Sequence, residues 1–324
     1  MGARAVSLTF APAPLAAGTR AVLPFGDAAR AVVSWNSRAA AGELSIRALG
    51  ADGSRGERLR LAHWSPAERR SFSERDALVE VEVDVVHARA PLAALEIETS
   101  APLELLALAT PEPERPPRPP SGRVFELAVP ARSQYPADPA ALPPELAASA
   151  RGWCSAASLA MVLAYLGRNL PLEEVAAGVY DSAYGGTGNW AFNVAFAGEL
   201  GFRAYAAYLR DLRAAEGYLA SGTPLALSFD WRPGELPGAP LTESAGHFAV
   251  LRGMNANGDP LMTDPAISWE RTVYPRNAFE SIWRRHGGLA YIVTILNDGH
   301  APGAGRLTTF DQRLPRHGRR GLSE

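Results

Sequence analysis

Over the first hundred residues the hydrophobic positions alternate with polar ones. Val79, Val81, Val83 and Val85 take turns with Glu80, Glu82 and Asp84, a period-two pattern that puts the valines on a buried face and the carboxylates in water. The same alternation returns at Leu44 and Ile46, Leu59 and Leu61, Leu95 and Ile97, and Leu103 and Leu105. Short strands at regular spacing, with Asp52-Gly53 as a turn and no amphipathic helix among them, predict an antiparallel β-sandwich over residues 1–110. Trp35, His63, Trp64 and His87 could form a ligand face such as a sugar platform, but core or rim positions are the commoner fate of such residues. No chemistry is read from this half, and a ligand for it is not specified.

The pattern breaks at residues 111–120, where six of ten residues are proline. A polyproline-type segment over 111–122, at about 3.1 Å per residue, predicts a semi-rigid spacer that keeps two domains about 30 Å apart.

Beyond it the period becomes mixed, which predicts an α+β domain over 123–300 followed by a tail over 301–324. Helices are expected at 155–166, after Pro171, at 189–200, at 211–220, and from Asn277, where Glu280 suits a capping box. Leu225, Leu227, Phe229 and Trp231 mark one strand, and 246–254, 259–264 and 289–296 mark three more. Asn255-Ala256-Asn257-Gly258-Asp259 predicts a hairpin between the second and third of these. In this reading the second domain opens with helices and closes with an antiparallel sheet.

Composition changes this picture little. A chain of 324 residues can bury two cores, and a 47% hydrophobic content with 20% charged residues is that of a globular protein. The formal net charge of −2 leaves no electrostatic footprint for nucleic acid or an anionic membrane. Residues 1–26 carry two arginines and several prolines without a continuous apolar core, so no signal peptide is read there, and no apolar run is long enough to span a bilayer. The expectation is a soluble protein of unspecified compartment. One cysteine and 6 scattered histidines offer no disulfide and no metal-ligand spacing, and no cofactor is called for.

The single cysteine stands at the head of the most apolar helical stretch, in Gly152-Trp153-Cys154-Ser155-Ala156-Ala157-Ser158-Leu159. A thiol at a helix N-terminus meets unpaired N–H groups and the positive end of the dipole, which favour thiolate. The alternative is a small buried hydrophobe. A nucleophile needs a base and an orienting group. His247, after Gly246 and before an apolar strand, is the candidate base, with a surface or satisfied histidine as the alternative. Counted from the hairpin turn, Asp264 lies near the same end, about 7 Å out of step along the strand, a gap that side chains or a bulge could close. Its alternative role is a turn residue before Pro265. In "DSAYGGTGNW" the glycines could form a cleft wall, with Asn189 as a helix cap and Trp190 as core or substrate contact. No lysine is present there for a nucleotide loop.

These three blocks resemble, in order, those of the C39-like cysteine peptidases: "GWCSAASLAMVLAYLG", "GHFAVLRG" and "TDPA". The resemblance spans roughly 124–296 and implies a papain-like fold in which Cys154 attacks an amide carbonyl, His247 moves the proton and Asp264 orients His247. It also implies an oxyanion glutamine upstream of the cysteine, for which Gln134 is the candidate, although 154 − 134 = 20 residues is longer than the family's usual gap and Ser155 replaces the glycine of many members. Trp153, Gly246 and Trp190 are the candidate substrate contacts, and a peptide or protein is the implied substrate. An acyl or peptide transferase on the same triad, and a peptide-binding module without turnover, remain as alternatives.

Overall fold

The computed structural model describes residues 8–12, 14–267 and 271–295; the expected tail at 301–324 lies outside them. Ten strands make up the first part: β1 (Leu8–Phe10), β2 (Arg20–Pro24), β3 (Arg30–Asn36), β4 (Gly42–Gly50), β5 (Leu59–Trp64), β6 (Arg69–Arg75), β7 (Val79–Val83), β8 (Val85–Ala88), β9 (Leu92–Thr99) and β10 (Leu105–Ala109). They form one antiparallel path, β1-β10-β3-β8-β7-β6-β5-β4-β9-β2. β6 pairs with β5 through Arg69–Ser71 and with β7 through Phe72–Arg75. Val33 and Trp35 from one arm share a core with Leu23, Ile46 and Ile97 from the other, so the path folds over itself around β6.

The alternation read through Val85 is interrupted. Val83 has φ +59° and, with Asp84, makes a two-residue turn between β7 and β8, in which Glu82 pairs with Val85. The turn shifts the phase, so that Val86 rather than Val85 enters the core. Asp84, expected in water, is buried: its carboxylate accepts the backbone N–H of Trp190.

The second part contains β11 (Phe125–Glu126), α1 (Pro144–Ser149), α2 (Cys154–Tyr165), α3 (Leu172–Val179), α4 (Trp190–Glu199), β12 (Phe202–Tyr208), α5 (Leu212–Ala220), β13 (Leu225–Trp231), β14 (Ser244–Met254), β15 (Pro260–Thr263), β16 (Arg271–Val273), α6 (Arg276–Arg285) and β17 (Leu289–Ile295). The sheet order is β12-β17-β13-β14-β15-β16, with β11 on β14. Helices did not all precede strands: β12 falls between α4 and α5 and pairs along its whole length with β17. Asn189 and Asp211 cap α4 and α5 with their side chains. Glu280 forms no capping box; its carboxylate reaches across to accept the Leu212 N–H at the start of α5, at 2.7 Å.

The proline-rich segment does not hold the two parts 30 Å apart. A polyproline backbone makes no internal hydrogen bonds, so its carbonyls are free acceptors, and arginines of the second part take them: Arg210 at Pro116 O, 3.1 Å, and Arg284 at Arg115 O, 2.5 Å. Arg118 in turn grips Asp211 through two guanidinium nitrogens, at 2.9 and 2.8 Å. The two parts pack directly. Phe192 of α4 lies edge-on against Trp35 at 5.8 Å, and Ala191 and Ala195 enter the same core. The Asn36 carboxamide extends the pairing of β12, donating to Ala204 O at 2.8 Å and accepting from Ala204 N at 3.0 Å. Trp35 and Trp64 are therefore core residues, not a ligand platform.

Candidate active site

α2 forms because 12 consecutive residues lack proline and glycine and are rich in Ala, Leu and Met. Nine of them are buried on all sides, which agrees with an absence of amphipathic pattern. It ends at Gly167, whose φ of +92° lets Arg168 N–H close back onto Leu163 O at 2.8 Å. Cys154 is its first residue, with no side-chain cap, and is partly exposed. The next side chain, Ser155, shares a 2.9 Å hydrogen bond with the Tyr291 hydroxyl of β17, and both are buried. That bond fixes the rotation of α2 on the sheet, and with it the direction of the thiol one residue earlier.

The hairpin of β14 and β15 brings His247 and Asp264 together. Met254 pairs with Pro260, so His247 lies 254 − 247 = 7 residues from that pair and Asp264 lies 264 − 260 = 4. Arg252 is an extra residue bulged between the Leu251–Met262 and Gly253–Leu261 pairs, which cuts the offset from three residues to two. The side chains close the rest: His247 Nε2 and Asp264 Oδ1 stand 2.9 Å apart, 2% and 0% exposed. Nε2 being taken, Nδ1 is the ring nitrogen left to interact with Cys154, which helps to raise the imidazole pKa.

Burial is the largest single effect on His247 and opposes its charge. Asp264 and Cys154 together outweigh it, and the imidazole is pushed up to about 10. Burial likewise opposes the charge on Asp264, but His247, the Ala266 N–H and the Tyr274 hydroxyl hold that carboxyl below its ordinary value. Besides His247, two donors meet the carboxylate: Ala266 N donates to Oδ1 at 2.9 Å and Tyr274 Oη donates to Oδ2 at 2.8 Å.

Gln134 is 4% exposed and bridges the segments that carry Cys154 and Asp264. Its Nε2 donates to Arg151 O at 3.2 Å, three residues before Cys154, and its backbone N–H donates to Pro265 O at 2.9 Å, beside Asp264. The long gap to Cys154 is taken up by α1 and two 3-10 turns, at Pro139–Ala141 and Ala150–Gly152. Gly246 is exposed with open space around its α-carbon. Trp153 is not a substrate contact: it is 0% exposed, and its indole N–H donates to Ser149 Oγ at 3.0 Å. Trp190 is half-buried at the start of α4, with its ring edge-on to His286 at 6.1 Å, and packs on the core.

Three neighbours of the histidine were not anticipated. Phe229 and Trp231 pack edge-on against the imidazole, each at 5.5 Å, and Tyr274 holds the aspartate. The alternation of β13 marked Phe229 and Trp231 as facing one side, but nothing in the sequence named what they face. Among the described residues no group of three or more His, Cys, Asp or Glu side chains could hold a metal ion. No single described helix is long and apolar enough to cross a membrane.

Comparison with solved structures finds similarity to a C39-like peptidase from Bacillus anthracis, at 17% identity and a TM-score of 0.38, covering 53% of this chain and 98% of that one. It also finds a double glycine motif protease from an AMS/PCAT transporter in complex with its leader peptide, at 24% identity and a TM-score of 0.30, covering 44% of this chain and 84% of that one. No curated protein matches. The Peptidase_C39 like family model matches residues 126–291, a stretch that holds Cys154, His247 and Asp264 and makes up just over half of the chain, which therefore belongs to that family.

Proposed function

We propose that this chain is a cysteine peptidase or amidase acting on peptide bonds through Cys154, His247 and Asp264, with residues 123–300 as a papain-like domain and 1–110 as a β-sandwich. The observation that carries this is the hydrogen-bonded series Tyr274, Asp264, His247, whose imidazole is electrostatically coupled to Cys154, a partly exposed residue at the head of α2. A structural histidine needs no such orientation, whereas a base for a nucleophile does.

In the reaction the Cys154 sulfur, its proton held on His247 Nδ1, attacks the scissile carbonyl and a C–S bond forms. The electron pair moves to the carbonyl oxygen, which the Cys154 backbone N–H and the second N–H of the Gln134 amide stabilise. Collapse breaks the C–N bond, and the leaving amine takes the Nδ1 proton. Water then gives a proton to Nδ1 and attacks the thioester, and release of the acid restores thiolate and imidazolium. Asp264 stays ionised and keeps Nε2 oriented throughout. No cofactor enters the cycle. Peptide is the proposed substrate because a serial C–N cleavage of this kind requires an acyl donor, and the related transporter protease is described with a leader peptide.

The test is the pH dependence of Cys154 alkylation by iodoacetamide in the native protein and in His247→Ala. Rapid labelling well below about pH 8.5, slowed by the substitution, is expected. An ordinary thiol profile, unchanged by the substitution, overturns the proposal. Added amines that yield transfer products would redirect it to an acyltransferase on the same residues.

A further inference from the structure

Beside the nucleophile runs the loop from Asp181 to Asn189, and the sheet-rich first part of the chain holds it there. Asp181 is wholly buried. Its Oδ1 accepts the N–H groups of Ala183 at 3.0 Å, Tyr184 at 3.4 Å and, from β6, Ser71 at 3.0 Å, while its Oδ2 accepts from Asn189 Nδ2 at 2.9 Å. Ser182 N–H donates to Arg69 O at 2.9 Å, again on β6. At the other end, Thr187 Oγ1 donates to Gly152 O at 3.3 Å, two residues before Cys154. The loop thus borders the thiol, and its place is set by a strand more than a hundred residues earlier in the sequence.

Tyr184 rides on this loop. It is 54% exposed, one of few large apolar side chains left in water. Gly186 and Gly188 lie beneath its ring, so close that a β-carbon at either would come within 3.1 Å of the Tyr184 side chain. The ring is thus seated against bare backbone and still half exposed. Gly152, two residues before Cys154, and Gly246, next to His247, have open space where side chains would stand.

We propose that Tyr184 is a substrate-contacting residue, whose exposed ring surface receives an apolar side chain of the peptide next to the scissile bond. This rests on the peptidase reading of the cleft. A half-exposed aromatic ring already fixed on two glycines offers apolar area with little conformational entropy left to lose. Burial first, then the charges of Asp84, Cys154 and Asp181, hold the hydroxyl pKa up, so the residue stays neutral beside the thiolate. The two buried acids near it, Asp84 and Asp181, are occupied by backbone N–H groups and leave no cation site to recruit a charged side chain.

A library of random dodecapeptides, digested by the native protein and read by mass spectrometry, locates the preferred residues around the cut. For the best-cleaved sequence, Tyr184→Ala should raise KM about tenfold and remove the preference for an apolar residue at one position, with kcat within about threefold. Tyr184→Phe should keep that preference. Gly188→Ala leaves the ring in place chemically but lifts it from its seat, and should weaken the same preference. Iodoacetamide labelling of Cys154 should be unchanged in all three variants. A Tyr184→Ala protein that keeps the full preference and normal labelling overturns the proposal. A native protein that labels slowly and cleaves no peptide overturns the peptidase reading, and this proposal with it.

Discussion

Asp84 should make the protein less stable as pH rises through neutrality. The residue sits on the turn between β7 and β8 and accepts the N–H of Trp190 at the start of α4, with the Ala191 N–H also favouring its ionised form. Those donors and the helix dipole favour its ionised form. Burial is the larger effect and Asp181 adds repulsion, so the carboxyl is pushed up from 3.8 to about 7. Val33, Trp35, Leu61 and Ala62 beside it enclose a cavity of about 10 Å³, room for one water at most.

The sign follows from linkage. A carboxyl whose folded pKa lies above its unfolded one contributes fully below about 3.8, and that contribution is lost as pH rises to about 7. The whole difference corresponds to about 4 kcal/mol, more than half of which falls between pH 5 and pH 8. Asp84→Asn keeps an acceptor for Trp190 N–H and carries no charge at any pH, so it should lack this loss. His247, held up to about 10 from 6.5, also withdraws stability as pH rises, but between about 6.5 and 10 and equally in both proteins. Guanidinium unfolding of native protein and variant at pH 5, 6, 7 and 8 isolates the Asp84 part as their difference. The variant should gain on the native protein by about 2 to 3 kcal/mol from pH 5 to pH 8. A difference that stays flat, or that moves in favour of the native protein, refutes the argument that burial outweighs the helix N-terminus.

Three further outcomes are expected. Tyr274→Phe strips Asp264 Oδ2 of its donor, and should cost about 1.5 to 3 kcal/mol in chemical denaturation and raise the pH at which peptidase activity fails on the acid side, since this bond helps to keep the carboxyl pKa down. Gln134→Ala should lower kcat about a hundredfold or more with little change in KM, measured on any cleaved peptide, while iodoacetamide labelling persists; an equal loss in labelling would assign Gln134 to loop support alone. Val83→Gly relieves a β-branched residue at φ +59° and should change stability by less than about 1 kcal/mol, whereas Gly ordinarily destabilises a strand end; a larger loss would show that the Val83 side chain is held by packing that outweighs its backbone strain.

The parts of the fold that were legible in sequence are those set by local chemistry. Gly167 stops α2, Asn189 and Asp211 cap their helices, and the Asn255 to Asp259 turn folds the hairpin, because each choice is decided within a few residues of backbone. β12 was not anticipated: six of the seven residues of Phe202–Tyr208 are small or aromatic, in a mixed pattern, and it is a strand because β17 and the Asn36 carboxamide supply its hydrogen bonds. Asp84 read as one more solvated carboxylate of an alternating strand because the turn at Val83 is set by a β-branched residue in a conformation that such residues avoid.

At the site, the sequence by itself determined which groups can do chemistry. A lone thiol at the head of an apolar helix, and a histidine and an aspartate on facing strands of one hairpin, are properties of residue type and spacing. Only the tertiary structure decided their environment. Trp153 turned inward, Phe229 and Trp231 closed on the imidazole, Tyr274 completed the aspartate's shell, and β6 clamped the loop that carries Tyr184. These contacts join residues from ten to more than a hundred positions apart, and burial and electrostatic partners at that range come from packing, which no local pattern encodes.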